Sequence, residues 1–187
     1  MDVDMDLLER ARDLEEEALA AIFDEYYTPL YRYIFYHVSH AQTAEDLTAE
    51  VFRRLLEHLH AGRGPRRNLK SWLFRVAHNL VIDEARRFVR RDHQSLDDYL
   101  LATDANVERE TQQAILAQQA QQALDLLTPK QRSVIILKYL VGLENTEVAD
   151  ALALPIGAVK SLQHRALAAL RRTLARAKTW ATEGEIQ

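Results

Sequence analysis

The sequence predicts an all-α fold: two small helical domains joined by an acidic linker, the second containing a helix-turn-helix. Three observations carry this expectation. The 187-residue chain holds only 5 Gly and 4 Pro and has no run of alternating β-branched residues, so strands and tight hairpins are not expected. Apolar residues recur at three- and four-residue steps over most of its length, the period of a helix with one buried face. Charge comes in blocks. Residues 1–25 carry ten acids and two bases, and residues 26–91 six acids and twelve bases. Residues 92–127 carry seven acids and one base, and residues 128–187 five acids and nine bases. The formal net charge of −4 therefore hides two basic segments separated by an acidic one. That pattern suggests two modules facing nucleic acid and a connection that does not. One such block would be ordinary surface variation; two, each on helical sequence, are more than that.

Composition excludes several classes. Without Cys the chain has no disulfide and no thiolate chemistry, which fits a reducing cytoplasm. No apolar stretch approaches the length of a membrane span, and the acidic N-terminus carries the wrong charge for a signal peptide. A soluble, cytoplasmic protein without membrane insertion is expected. The histidines do not suggest a metal site. His37 and His40 have no acid with them at ligand spacing, and His58 and His60 diverge on a helix. HExxH and a glycine-rich phosphate loop are both absent. The expectation is no cofactor, no metal, no catalytic residue and no enzyme activity.

The elements follow in order. Residues 1–19 are acidic and mostly helix-forming, and read as a partly disordered extension before a first domain over 20–91. That domain opens with a helix over 20–38, where Ile22, Tyr26, Leu30, Ile34 and Val38 form a buried stripe. The aromatic residues there keep helical spacing and read as core rather than as a base-stacking platform. Pro29 is expected to start or kink a helix. Over 43–59, Thr43 with Asp46 makes a capping-box-like start. Leu47, Val51, Leu55 and Leu59 face inward, flanked by Phe52 and Leu56; Glu45, Asp46, Thr48, Glu50 and Arg53 remain outside. Physics alone makes that outer face merely solvated.

Residues 60–69 are the clearest loop, with two glycines, a proline and three arginines (Arg63, Arg66 and Arg67). Such a loop can be a connector, or can follow a phosphate backbone and hold an extruded base. Over 70–91, Leu73, Val76, Ala77, Leu80 and Ala85 are expected inward. Lys70, Arg75, Arg86, Arg87, Arg90 and Arg91 lie on the far side, and Trp72 reads as core. Residues 92–112 are acidic, lack periodicity and read as the linker. The second domain spans 113–178, with a tail at 179–187. Its first helix turns Leu116, Ala120, Ala123 and Leu127 inward. A second is capped by Thr128, has Pro129 as first residue, and carries Val134, Ile135, Leu137 and Leu140 as apolar positions.

Residues 142–172 then read as helix, turn, helix. Asn145 and Thr146 supply cap-type side chains, and Val148, Ala149 and Leu152 share a face. Ala153, Leu154 and Pro155 form the turn, with Pro155 suited to the first position of the next helix. In that helix Val159, Leu162, Ala166 and Leu170 cluster on one side, and Lys160, Ser161, His164, Arg165 and Arg172 lie around the other. One buried face and one basic, hydrogen-bonding face is what enters a DNA major groove. The bland alternative is a helical hairpin with a solvated basic face.

Together these stretches resemble RNA polymerase sigma factors of the extracytoplasmic-function group. AEDLTAEVFRRLL resembles the region-two helix that docks on the polymerase clamp, and KSWLFRVAHNLVIDEARR the region that recognises and melts the minus-ten element. LTPKQRSVIILKYLVGLENTEVADALALPIGAVKSLQHRALAALRR resembles region four, which reads the minus-thirty-five element. The resemblance implies core RNA polymerase and promoter DNA as partners, and allows for an anti-sigma factor. It implies that Glu45, Asp46, Thr48, Glu50 and Arg53 bind the clamp. Arg63, Arg66, Arg67, Asn79, Asp83, Arg86 and Arg87 would capture the melted downstream element. Lys160, Ser161, His164 and Arg165 would read the upstream duplex. It also implies that the acidic linker threads the polymerase toward its active centre. The chain departs from the pattern at Ala49, where Gln is usual, and at Ala153, where Gly is usual. It departs again at Ala158, often Thr, and at Leu162-Gln163, where Arg-Leu is usual. The turn is expected to use a conformation that alanine accepts. A stand-alone helix-turn-helix regulator with a helical sensing domain is the alternative.

Overall fold

In the computed structural model, residues 3–92 and 112–183 are described, with side chains from 5–90 and 118–173. Every element among them is helical: α1 Val3–Arg12, α2 Glu16–Val38, α3 Ala41–His60, α4 Leu69–Asp92, α5 Gln112–Asp125, α6 Pro129–Ile135, a π-helical turn Ile136–Leu140, α7 Asn145–Leu152 and α8 Ile156–Glu183. The acidic stretch 93–111, the Leu116 and Arg91 side chains and the tail from 184 lie outside the described residues.

In α2 the stripe Ile22, Tyr26, Leu30 and Ile34 is buried, joined by Ala18 and Tyr33. It packs against α3 and α4. Pro29 neither starts nor breaks this helix, which runs through it. Beside the stripe, Phe23, Tyr27, Tyr31 and Phe35 form a ladder with ring centroids 5.1, 6.3 and 5.8 Å apart, and Phe23 meets Phe52 of α3 at 4.8 Å. Part of the aromatic density is thus surface rather than core, since Phe23 is 44% exposed. The expected cap of α3 is also corrected. His40, not Thr43, occupies the N-cap, and its Nδ1 accepts from the Thr43 N–H at 3.2 Å. Ala85 is exposed rather than inward, as are the residues that follow it to Arg90.

The N-terminal extension belongs to the same body. Leu8 and Ala11 of α1 are buried against α2 and α3. Leu14, at φ 60°, turns the chain back, and Arg10 pairs with Glu15 at 2.5 Å across that turn.

In the second half, Thr128 caps α6 through a full capping box with Gln131, and Pro129 is the first helical residue. Of the apolar positions, Val134, Ile135 and Leu137 are buried, as is Ile136, but Leu140 is exposed. The π turn explains the difference: the Val141 N–H bonds the Ile136 carbonyl five residues back, so the buried face shifts by one position. Glu144, not Asn145 or Thr146, is the N-cap of α7, in a capping box with Glu147. Ala153 ends α7 at φ 51°, ψ 45°. The turn therefore keeps the left-handed geometry that glycine accepts freely, and alanine occupies it at a cost. Pro155 sits immediately before α8, its carbonyl accepting from Ala158 and Val159.

The two halves are docked. α4 packs along α7, and α2 meets the π turn. Arg75 of α4 donates from Nε and Nη2 to the Asp150 carbonyl at 2.9 and 2.5 Å. His37 and Tyr36 of α2 meet Ser133 and Arg132 of α6.

Candidate nucleic-acid interface

The clearest face lies on α8. Val159 and Ala166 are fully buried and Leu162 and Leu170 half-buried, which fixes the rotation of the helix. Lys160, Ser161, His164 and Arg165 are all exposed and together line one shallow depression of about 450 Å³. No acid is among them, and Arg165 Nε bonds back to the Ser161 carbonyl at 3.2 Å. Such a face can offer hydrogen-bond donors and positive charge to a groove edge.

A second basic surface joins the loop to α4. Arg63, Arg66 and Arg67 are exposed, and none of their guanidinium groups has a hydrogen-bond or ion-pair partner among the described residues. Gly62 adopts φ 63°, and a Cβ on Gly64 would come 2.5 Å from Leu59 Cδ2, so the path of the loop needs both glycines. Asn79, Asp83, Arg86 and Arg87 follow along one exposed side of α4. Asp83 pairs with Arg86 at 3.5 Å and Glu84 with Arg87 at 3.4 Å, exposed contacts that nucleic acid can displace cheaply. Trp72 is half-buried, its ring edge-on to His58 at 5.3 Å.

On α3, Glu45, Asp46 and Arg53 are exposed along with Ala49. Thr48 is not part of this face. It is fully buried and donates its hydroxyl to the Ala44 carbonyl at 2.6 Å. Its position, four residues after Ala44 and three before Val51, puts it mid-stripe, and the internal hydrogen bond lets a polar residue sit there. Glu50 is half-buried and engaged by Arg53 and Arg54 at 2.5 and 2.8 Å. Those hydrogen bonds, Arg53 first, hold its carboxyl down at about 2. Leu56, 40% exposed, adds an apolar edge.

Sequence reasoning missed the junction between the halves. His37 donates from Nδ1 to the Tyr33 carbonyl at 2.8 Å, and its Nε2 lies 3.0 Å from Ser133 Oγ. Burial lowers its pKa to about 4, with Arg132 and His78 acting the same way. His78, also lowered by burial, meets the Tyr33 hydroxyl at 2.9 Å, and burial pushes that phenol up. Among the described residues no group of His, Asp and Glu could hold a metal ion, and no helix is long and apolar enough to cross a membrane.

Comparison with known proteins decides the family. Residues 22–91 match Sigma-70 region 2 and residues 117–170 match Sigma-70, region 4. The chain is 35% identical over 168 residues to the ECF RNA polymerase sigma factor SigX of Bacillus subtilis, covering 84% of each. The chain belongs to the extracytoplasmic-function sigma factors. It is also 36% identical over 175 residues to BldN of Streptomyces coelicolor, covering 91% of this chain but 65% of BldN. The fold is similar to that of CnrH in its complex with the cytosolic domain of CnrY, at TM-score 0.73 and 22% identity over 94% of this chain and 99% of CnrH. It is likewise similar to RpoE bound to the anti-sigma factor NepR from Bartonella quintana, at TM-score 0.68 and 23% identity over 83% of this chain and 96% of RpoE. In these terms region 2 runs from within α2 through α4, and region 4 from within α5 into α8 up to residue 170.

Proposed function

We propose that this sigma factor binds core RNA polymerase through the exposed face of α3 and directs it to promoters through two separate DNA contacts. The start of α8, with Lys160, Ser161, His164 and Arg165, reads an upstream element as duplex. The loop with Arg63, Arg66 and Arg67, and the α4 face with Asn79, Asp83, Arg86 and Arg87, hold a downstream element once it is melted. Extruding a base costs a few kcal/mol, which the new contacts offset. The observation that carries this reading is the acid-free cluster on α8, exposed as a unit while the opposite side of the same helix is buried. The protein acts as a dissociable specificity subunit in the cytoplasm, without chemistry of its own.

Elements centred near minus ten and minus thirty-five are about 25 base pairs apart, roughly 85 Å at 3.4 Å per pair. A compact chain of this length has a radius of gyration of about 16 Å. The docked arrangement is then a resting form, and regions 2 and 4 separate when both elements are bound. An anti-sigma factor fits as a partner that favours the resting form. The test is run-off transcription with purified core polymerase on a promoter library. Selective initiation is expected from wild type and loss of upstream selectivity from Lys160→Ala with Arg165→Ala. Transcription indifferent to the added protein at every promoter would refute the proposal.

A further inference from the structure

The flank of α8 carries a pairing that the region 4 pattern does not require. Gln163 is half-buried and lies on the helix surface beside Lys160, three residues earlier. Its Nε2 donates to the hydroxyl of Tyr139 at 2.6 Å. Tyr139 sits in the π turn and is 50% exposed, between buried Leu137 and buried Leu143. The extra residue in that turn carries the tyrosine outward to the edge of the recognition helix. π turns inside helices are frequent at functional sites.

A phenol hydroxyl has one proton to donate and lone pairs to accept with. The Gln163 amide fills an accepting position, and no acceptor for the phenol proton is present among the described residues. The hydroxyl is therefore held in place with its donor free, next to a basic helix face. Tyrosine is among the side chains that contact DNA phosphates, and an O–H donated to a charged oxygen makes a strong, short bond. The pairing also gives a reason for the departure at Leu162-Gln163. Leu162 is half-buried where the family usually has Arg, and the polar residue stands one place later, where it reaches Tyr139. A leucine at 163 could not hold the hydroxyl.

We propose that Tyr139, positioned by Gln163, donates a hydrogen bond to one backbone phosphate at the edge of the groove that α8 enters. This rests on the reading of α8 as the upstream-element helix. It makes Tyr139 a contact that sets the register of region 4 on DNA, and Gln163 a positioning residue acting through it.

The test uses the full chain bound to core polymerase, with affinity for the upstream element measured on duplexes carrying a single methylphosphonate at successive positions. The proteins compared are wild type, Tyr139→Phe, Gln163→Leu, the double variant and Lys160→Ala. Wild type should lose affinity at one position to which Tyr139→Phe is indifferent. On unmodified DNA, Tyr139→Phe should bind on the order of tenfold more weakly, equally for all base substitutions. Gln163→Leu should lose part of that, and the double variant no more than Tyr139→Phe. Tyr139→Phe binding like wild type while Lys160→Ala is weakened would overturn the phosphate contact alone. So would a methylphosphonate profile identical in wild type and Tyr139→Phe, or a changed base preference. Lys160→Ala binding like wild type would overturn the α8 reading and the contact with it.

Discussion

The imidazole of His37 on α2 sits 3.0 Å from the hydroxyl of Ser133 on α6, so a half-buried histidine bridges regions 2 and 4. Its burial holds the folded pKa at about 4, below the ordinary 6.5. Between those values the unfolded chain binds a proton that the folded chain refuses. Stability is therefore full above about 6.5 and falls as pH drops toward 4. The loss from this group approaches about 3 kcal/mol. His78, lowered in the same direction, adds to the slope. Glu50 contributes only in a lower window, from 4.5 down to about 2. Urea unfolding at pH 7.5 and 4.5 should show a marked difference for wild type and a smaller one for His37→Gln. Equal differences would mean that His37 is solvated at the junction.

Asp46 is exposed on α3, and among the described residues its carboxylate is bound only by Gln42, at 3.1 Å. Asp46→Arg should weaken binding to core polymerase several-fold and leave the melting temperature unchanged, since a surface reversal acts mainly on association. Retained affinity would remove this face from the proposed docking site.

Thr48→Val, by contrast, should leave core affinity as it is. Valine keeps the buried shape and gives up one internal hydrogen bond, a cost of about 1 kcal/mol or less in urea unfolding. Weakened core binding with normal stability would put Thr48 back on the surface.

Ala153 holds a left-handed conformation at φ 51°. Ala153→Gly relieves about 1–2 kcal/mol of strain, while the added freedom of the unfolded chain takes back about 0.4–1 kcal/mol. A net gain of between about 0 and 1.6 kcal/mol is expected, with DNA affinity unchanged. A fall in stability would show that the turn relaxes in solution.

Exchanging residues 60–69 for the loop of another family member should change which downstream base is preferred. Core binding and upstream recognition should stay constant. The preference should appear on single-stranded non-template DNA and be weak on closed duplex. A chimera matching the parent at every downstream position would make the loop a connector and move the specificity to Asn79 and Asp83.

Periodicity made the regular parts of this fold legible. The α2 stripe from Ile22 to Ile34 and the two faces of α8 follow from spacing alone, because a helix repeats its burial every 3.6 residues. The misses have separate causes. Thr48 is polar and so reads as exposed, but its position between Ala44 and Val51 puts it in the buried stripe. The cap of α3 was missed because an imidazole does the work usually done by a hydroxyl or carboxylate. Leu140 is an apolar residue left exposed because the π turn breaks the helical period, and no residue type announces such a turn. The Arg75–Asp150 contact joins positions 75 apart and leaves no local trace. For the sites, Lys160, Ser161, His164 and Arg165 were readable as one cluster, whereas the Tyr139–Gln163 pair depends on a bend that only coordinates reveal.

The π turn has a further consequence in genetic terms. It amounts to a one-residue insertion carried inside a helix, between α6 and the turn at Gly142, where φ is 80°. Deleting any single codon from 136–140 should let the stretch relax to ordinary α geometry, since α6 already leads into it. Each residue in a helix is offset by about 100° from the next, so such a deletion swings the remaining side chains to new sides. A point substitution could only alter Tyr139 itself. An in-frame deletion would instead take the whole outward corner away from α8 and still leave a helix. Such a deletion would also leave Gln163 on α8 without the hydroxyl it now holds.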